Sequence, residues 1–359
     1  MVVVGTRPEI VKMAPIVRAL KKAVVPYTLV HCGQHYDYNM SQQFIDELEL
    51  PKPDFSFKLR AVSPVEQTAR IMLHMDRLLK HTAPSIVLVE GDTNTVLAAA
   101  LSANKRGVRV GHVEAGLRSY DLRMPEEHNR RLTDHVSDFL FAPTERAKAN
   151  LERENVWGKV FVTGNTVIDA VQQHLPIAER KSNILKQIRF KQFALVTAHR
   201  AENVDDPSVL KSFVGVLEES LLPVVYSMHP RTRKMLRKHG LLSQIERSGN
   251  VQVFPPLGYL DFLVLMKQCE LILTDSGGIQ EEATAPGIRK PVLILRLSTE
   301  RPEAVEAGFA GVVGTDKDKA LVAINEALAK PKKLPSKSPY GNGNSAEKIV
   351  KIIQKEVLA

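Results

Sequence analysis

Cysteine is nearly absent. The 359-residue chain has two, Cys32 and Cys269, far apart and set in apolar, strand-like stretches. Such a pair builds no disulfide framework, and buried thiols in a reducing compartment are expected. No apolar run approaches the roughly 18 residues that a membrane-spanning helix needs. No charged segment followed by an apolar one opens the chain, so no membrane partner is expected and the expected location is cytoplasmic. Aromatic residues make up only 6%. Basic residues outnumber acidic ones, 49 to 40, but are scattered. The one dense patch, Lys330, Lys332, Lys333 and Lys337, lies in a Pro/Ser-containing stretch that reads as a solvated loop. A nucleic-acid partner is therefore not expected, and the charge of +9 suits an anionic small molecule better.

What is there reads as an ordinary globular protein, with 44% hydrophobic and 25% charged residues. These values exclude a disordered chain, a collagen and a coiled coil. The length suggests two domains. Several catalytic signatures are missing, among them a Walker A loop, HExxH and GxSxG. Gly341 to Ala346 matches a loose GxGxxA but follows a loop, not a strand. His112-Val-Glu114 has no PCxxC after it. Asp134, His135 and Asp138 lie on a helical segment expected to be structural, so no metal site is expected.

Short apolar runs alternate with turns and helical periods. Strands are expected at 2–4, 28–32, 86–90, 108–112, 139–142 and 160–163. A polar helical stretch at 171–191 follows, and then the pattern restarts with strands at 193–197, 224–229, 251–254, 271–274 and 291–295. This alternation implies an α/β protein with two doubly wound, Rossmann-like parallel sheets. The expected domains are residues 1–168 and 169–345, with a last helix at 346–359. A cleft between two such halves, at the carboxyl ends of the strands, is the expected ligand site.

The informative polar residues follow the strands. Pro8 suits the first helical position after Gly5-Thr6, which sets Arg7 at a helix N-terminus with Lys12 about a turn on. Two cations and a positive helix end suit a pyrophosphate; the alternative is a solvated pair. Asp275-Ser276-Gly277-Gly278 opens another helix, where amides can hold a phosphate and Glu282 can accept ribose hydroxyls; the alternative is a simple cap by Ser276. Asp92, Glu114 and Glu126 follow first-half strands, near Arg118, Arg130 and Arg131. Several acids near one cleft can divide acid and base work, or serve as caps and surface ion pairs. His199-Arg200 and His229-Pro-Arg231 sit at equivalent strand ends in the second half. Taken alone, these residues describe a diphosphate-binding protein with acids at the ligand's other end, and leave the reaction open.

The motifs as a set narrow it. Gly5-Thr6-Arg7-Pro8-Glu9-Ile10, Gly91-Asp92-Thr93-Asn94-Thr95, His112-Val113-Glu114-Ala115-Gly116-Leu117-Arg118, Pro125-Glu126-Glu127, Thr163-Gly164-Asn165-Thr166, Thr274 to Glu282 and Glu300-Arg301-Pro302-Glu303 appear in order. Together they resemble the non-hydrolysing UDP-N-acetylglucosamine 2-epimerases, from residue 5 to about 346. The resemblance implies a glycosyltransferase-B-like fold, the last helix crossing back to the first domain, and reversible conversion of UDP-GlcNAc to UDP-ManNAc without a cofactor. The family's route is anti elimination of UDP to a 2-acetamidoglucal, then re-addition with the proton delivered to the other face of C2. Carried over, Asp92, Glu114 and Glu126 match the catalytic acids, and His199 stands with them in the expected catalytic set. Arg7, Lys12, Arg200, His229, Gly258, Ser276, Gly277, Gly278, Glu282 and Arg301 match the UDP-sugar site. A homodimer and a role in glycan precursor synthesis are also implied.

There are departures. Met1 falls almost on the first strand, where the family carries a few more residues, which suggests a shortened start. Ala201 replaces an arginine. Gln34 and His35 match a segment that in bacterial relatives binds a second UDP-GlcNAc as activator, but Tyr36-Asp37 differs. His229-Pro-Arg-Thr232 resembles the branch acting on diacetamido uronic acid sugars, which is the alternative substrate. A glycosyltransferase, a hydrolysing epimerase and a non-catalytic nucleotide-sugar sensor are the competing readings.

Overall fold

The structure, a computed structural model, describes residues 1–33, 44–57, 59, 63–329 and 333–358. Gln34 and His35, the expected activator-site pair, lie outside the described residues. The chain forms two compact units: Met1–Ala170 with Tyr340–Ala359, and Val171–Pro339.

The first unit holds a seven-stranded parallel sheet. Its strands are β1 (Val2–Val4), β2 (Leu29–His31), β3 (Phe55–Ser56), β4 (Ile86–Glu90), β5 (Arg109–Val113), β6 (Phe139–Ala142) and β7 (Lys159–Val162). Their spatial order is β3-β2-β1-β4-β5-β6-β7. The chain winds outward from β1 in one direction, then returns to lay β4 on the other side of β1. That reversal makes the gap between β1 and β4 the switch point, where open α/β sheets present loops to ligands. Strands β1, β4 and β6 are buried throughout, and β5 is buried past Arg109, as a parallel sheet covered by helices requires. Helices Pro64–Thr82 and Asn94–Lys105 seal one face with Ile71, Met75, Leu78, Ala98, Ala99 and Ala103.

The second unit repeats the plan with six parallel strands: β8 (Ala194–Thr197), β9 (Val224–Ser227), β10 (Val251–Phe254), β11 (Leu271–Thr274), β12 (Val292–Ile294) and β13 (Ala310–Val312). Their order, β10-β9-β8-β11-β12-β13, puts its switch point between β8 and β11. Its core gathers Val196, Leu210, Phe213, Leu217, Tyr226, Leu236 and Leu273.

The C-terminal helix Ser345–Val357 belongs to the first unit. Its N-terminus is held by Asp169, whose carboxylate accepts the Ser345 and Ala346 amides at 3.2 and 2.9 Å. At its other end the Arg109 guanidinium reaches the Val357 carbonyl at 3.1 Å. The expected break at residue 168 falls inside helix Thr166–Lys181, which continues from one unit into the other. That helix stops at Lys181 because Ser182 turns its hydroxyl to the Ile184 amide, opening a single 3-10 turn. Two strands were not expected, β3 and β13. Both are two or three residues long, incompletely buried edge strands, so neither shows an apolar run. Both cysteines are free and buried. Among the described residues, no helix is long and apolar enough to cross a membrane.

Candidate functional site

In the first unit the loops after β1, β4 and β5 meet through buried carboxylates. Helix Arg7–Lys22 starts at Arg7 itself, so Pro8 takes its second position, not the first. Thr6 does not cap the helix with its side chain; its hydroxyl donates to Glu9 Oε1 at 2.8 Å. Glu9 also accepts the Gly5 amide at 2.6 Å and, from the loop after β4, the Thr93 hydroxyl at 2.8 Å. Burial pushes the Glu9 carboxyl up to about 7 against those three donors. Gly5 is required here, because a Cβ would lie 2.3 Å from the Thr95 hydroxyl.

Lys12 is committed within the fold and does not stand free beside Arg7. Its ammonium lies 2.6 Å from Glu114 Oε2 and 3.0 Å from Glu90 Oε1. Asn165 donates to the same Glu114 oxygen at 2.9 Å. Glu90 is fully buried; burial and the neighbouring Glu114 hold its carboxyl well above the usual range, and Lys12 opposes them. Glu114 adopts φ +67, the left-handed region that costs a non-glycine residue about 1–2 kcal/mol. A buried acid kept in that conformation by a lysine and an asparagine is a candidate for chemistry. Arg7 is exposed, its guanidinium 5.7 Å from the centre of the Phe44 ring.

Asp92 follows Gly91, whose φ of +85 turns the chain at the end of β4. Its carboxylate pairs with Arg130 on helix Pro125–Val136, and Asn129 of the same helix donates to its carbonyl at 3.0 Å. Of the neighbouring acids Glu126 and Glu127, the structure exposes the first and buries the second. Glu127 Oε2 accepts the amide and hydroxyl of Ser119 at 2.9 Å each and lies 3.3 Å from Arg130. The Glu126 side chain makes no hydrogen bond or ion pair among the described residues. Arg118 and Asp134 are structural: the guanidinium bridges Asp134 and Glu154, at 2.7 Å each. Asp138 accepts the Val110 amide at 2.8 Å.

In the second unit the switch point is organised by Asp275, a fully buried residue just past β11. Its Oδ2 accepts the His199 and Arg200 amides at 2.8 Å each and the Asn203 side chain at 3.0 Å. Its Oδ1 stands 3.3 Å from His199 Nδ1. Burial lowers the affinity of His199 for a proton, Asp275 opposes this, and His229, Arg200 and Arg231 reinforce it. The His199 and His229 rings lie 5.4 Å apart. The Arg200 Nε is buried and makes no hydrogen bond among the described residues.

Ser276 stands at the cap position of helix Gly277–Glu282, but its side chain makes no cap bond. The simple-cap alternative therefore fails, and Gly278 has open space where a Cβ would lie. Arg301 is held by Glu281, Nε to Oε1 2.6 Å, and passes beside Gly277, where a Cβ would be 3.7 Å from the guanidinium carbon. Glu282 is half-buried near Tyr259, whose phenol is raised by burial first and by that carboxylate second. Gly258 caps helix Tyr259–Gln268 and is exposed. Sequence reading missed Glu9, Glu90, Glu127, Asn165, Asp275 and Glu281 as organising groups. Glu90 carried a signal, since it closes an otherwise apolar run, Ile-Val-Leu-Val-Glu.

The first unit gathers acids at its strand ends; the second gathers backbone amides, histidines and arginines at its own. A family model described as UDP-N-acetylglucosamine 2-epimerase matches residues 18–354. The UDP-N-acetylglucosamine 2-epimerase of Methanocaldococcus jannaschii is 45% identical over 98% of each chain. The UDP-2,3-diacetamido-2,3-dideoxy-D-glucuronate 2-epimerase of Pseudomonas aeruginosa is 37% identical over 98% of each. The crystal structure of the M. jannaschii enzyme in complex with UDP-GlcNAc and UDP has a TM-score of 0.88 and covers 99% of each chain. The fold is α/β and glycosyltransferase-B-like. The chain belongs to the UDP-N-acetylglucosamine 2-epimerase family.

Proposed function

We propose that the protein is an isomerase that interconverts UDP-GlcNAc and UDP-ManNAc without releasing free sugar. The observation that carries this reading is the full-length similarity to a UDP-N-acetylglucosamine 2-epimerase at 45% identity. The proton on C2 of the sugar is poorly acidic. Anti elimination avoids a free carbanion: a base takes the C2 proton, the C1–O bond breaks with its electron pair leaving on UDP, and a C1–C2 double bond forms. In the return step a UDP oxygen adds to C1 and an acid delivers a proton to the opposite face of C2. Both steps need acid/base groups on either face and a dry site that retains the intermediate.

Asp92, Glu114 and Glu126 supply the acid/base work in this reading. Lys12 pairs with Glu114 and orients it. His199 joins this catalytic set; Arg7, Lys12, Arg200, His229, Gly258, Ser276, Gly277, Gly278, Glu282 and Arg301 bind the UDP-sugar, with the cations stabilising UDP as it departs. Gln34 and His35 belong to an activator site, the enzyme acts as a cytoplasmic homodimer, and its product feeds glycan precursor synthesis.

A second substrate has its own support. His229-Pro-Arg-Thr232 and the 37% identical diacetamido-glucuronate 2-epimerase favour the same chemistry on that sugar. Proton NMR of the protein with UDP-GlcNAc in D2O tests both. A new anomeric signal with deuterium entering C2 is expected. An unchanged spectrum alongside turnover of the diacetamido uronate would reassign the substrate, and turnover of neither would remove the enzyme reading.

A further inference from the structure

His112 has no part in the chemistry above, yet its ring is fully buried and both its nitrogens face oxygen atoms. Nε2 lies 2.8 Å from the Gly91 carbonyl, and Nδ1 lies 2.7 Å from Asp134 Oδ1. A carbonyl oxygen has no hydrogen to give. Asp134 has none either, because its Oδ2 takes the Arg118 guanidinium at 2.7 Å and the Gly116 amide at 3.3 Å, the contacts of an ionised carboxylate. A neutral imidazole has one N–H and would set a lone pair against an oxygen on its other side. Both ring nitrogens therefore carry hydrogen. The chain of contacts continues: Asp134 is tied on to Arg118, and Arg118 to the half-buried Glu154, which also lies 3.6 Å from Arg131.

The ends of this chain fall beside the two acids. Gly91 immediately precedes Asp92, and Gly116 is two residues past Glu114. Both glycines have positive φ, +85 and +83, so each is the pivot of its turn. The ring sits on β5, one strand over from the turn it holds, and Asp134 comes from helix Pro125–Val136, which also carries Arg130, the partner of Asp92.

We propose that His112 is a positioning residue: with both nitrogens protonated and joined to Asp134, it clamps the turn that carries Asp92 to the turn that carries Glu114. What those carboxylates do rests on the function proposed above; the clamp itself does not. Misplacing a reacting group by about 1 Å costs on the order of 100-fold in rate, so the clamp acts on turnover more than on binding.

Two substitutions separate the nitrogens. His112→Asn offers a donor where Nδ1 stands and leaves the Gly91 carbonyl bare; His112→Gln offers one where Nε2 stands and keeps that bond. His112→Asn is expected to lower kcat by about 100-fold with KM for the UDP-sugar within about twofold, and His112→Gln to recover to within about tenfold of wild type. Equal losses in both variants, in kcat and KM together with melting temperature, would mean a merely structural residue and would overturn the proposal. The wild-type protein gives a test that needs no variant to fold. With histidine labelled in 15N, one ring is expected to show hydrogen on both nitrogens, shielded from exchange with water. A His112 ring with a single N–H would also overturn it. Two N–H groups in a protein that turns over neither UDP-sugar would sustain the clamp and overturn the proposed function.

Discussion

The Lys12 ammonium stands 2.6 Å from Glu114 Oε2, a bond between the first helix of the chain and the loop after β5. Glu90 shares the same ammonium, so one cation holds two buried carboxylates. Lys12→Met takes that ammonium away from two buried acids, a loss of about 3–5 kcal/mol. The Glu90 carboxyl, already held high by burial, loses the group that opposes this, so the variant should lose further stability as pH rises, where wild type does so less. Denaturant melts at mildly acidic and mildly alkaline pH check this. A variant as stable as wild type at both would show that the three groups are not coupled.

Asp92→Asn tests the acid/base assignment. Asparagine keeps an oxygen for Arg130, and Arg130 retains Glu127 at 3.3 Å, so the loop should hold. Turnover should fall by about 100- to 10,000-fold. UDP affinity by calorimetry should stay nearly unchanged, because the residues proposed to hold UDP lie mainly in the other unit. If binding is lost along with turnover, Asp92 is a binding residue instead.

Both sheets were legible in the sequence because parallel strands buried on two faces appear as bare apolar runs, as in Ile86–Glu90 and Leu271–Thr274. The short edges β3 and β13 were not, since half-exposed strands lose that signal. Among the acids, Asp92 and Glu114 stood out by following strands. The neighbours that hold the site were hidden for a different reason. Glu9 lies within a helix's first turn, where an acid is ordinary, and only the fold shows that three donors converge on it. Glu126 and Glu127 are adjacent and chemically alike, yet one is exposed and one fully buried, a distinction set by helix phase and by where Ser119 arrives.

Glu9 predicts a pH dependence. Its carboxyl titrates near 7 when folded against about 4.5 when free. Between those values the folded state binds more protons than the unfolded state, so this group's contribution to stability falls as pH rises through the window. The shift amounts to about 3 kcal/mol by the neutral end. Glu9→Gln removes the titration, and its stability should be flatter than wild type from about pH 4.5 to 7. An unchanged slope would mean that Glu9 ionises normally within the fold.

Arg301 and Glu281 raise the question of whether a buried pair serves the fold or the ligand. Glu281 is fully buried and Arg301 nearly so, with Nε to Oε1 2.6 Å. Glu281→Gln takes the carboxylate charge from the guanidinium and should cost about 3–5 kcal/mol, while loosening the grip on UDP. Stability loss alone does not tell the two roles apart. The double variant Glu281→Gln with Arg301→Met does, because it removes both charges together. Replacing a whole buried pair is often close to neutral, so the double variant should regain much of the lost stability. If Arg301 binds UDP, the double variant should still bind it weakly, with affinity reduced by about tenfold or more, the loss of one charge-assisted contact. Recovery of stability and affinity together would assign the pair to the fold and take Arg301 out of the binding site.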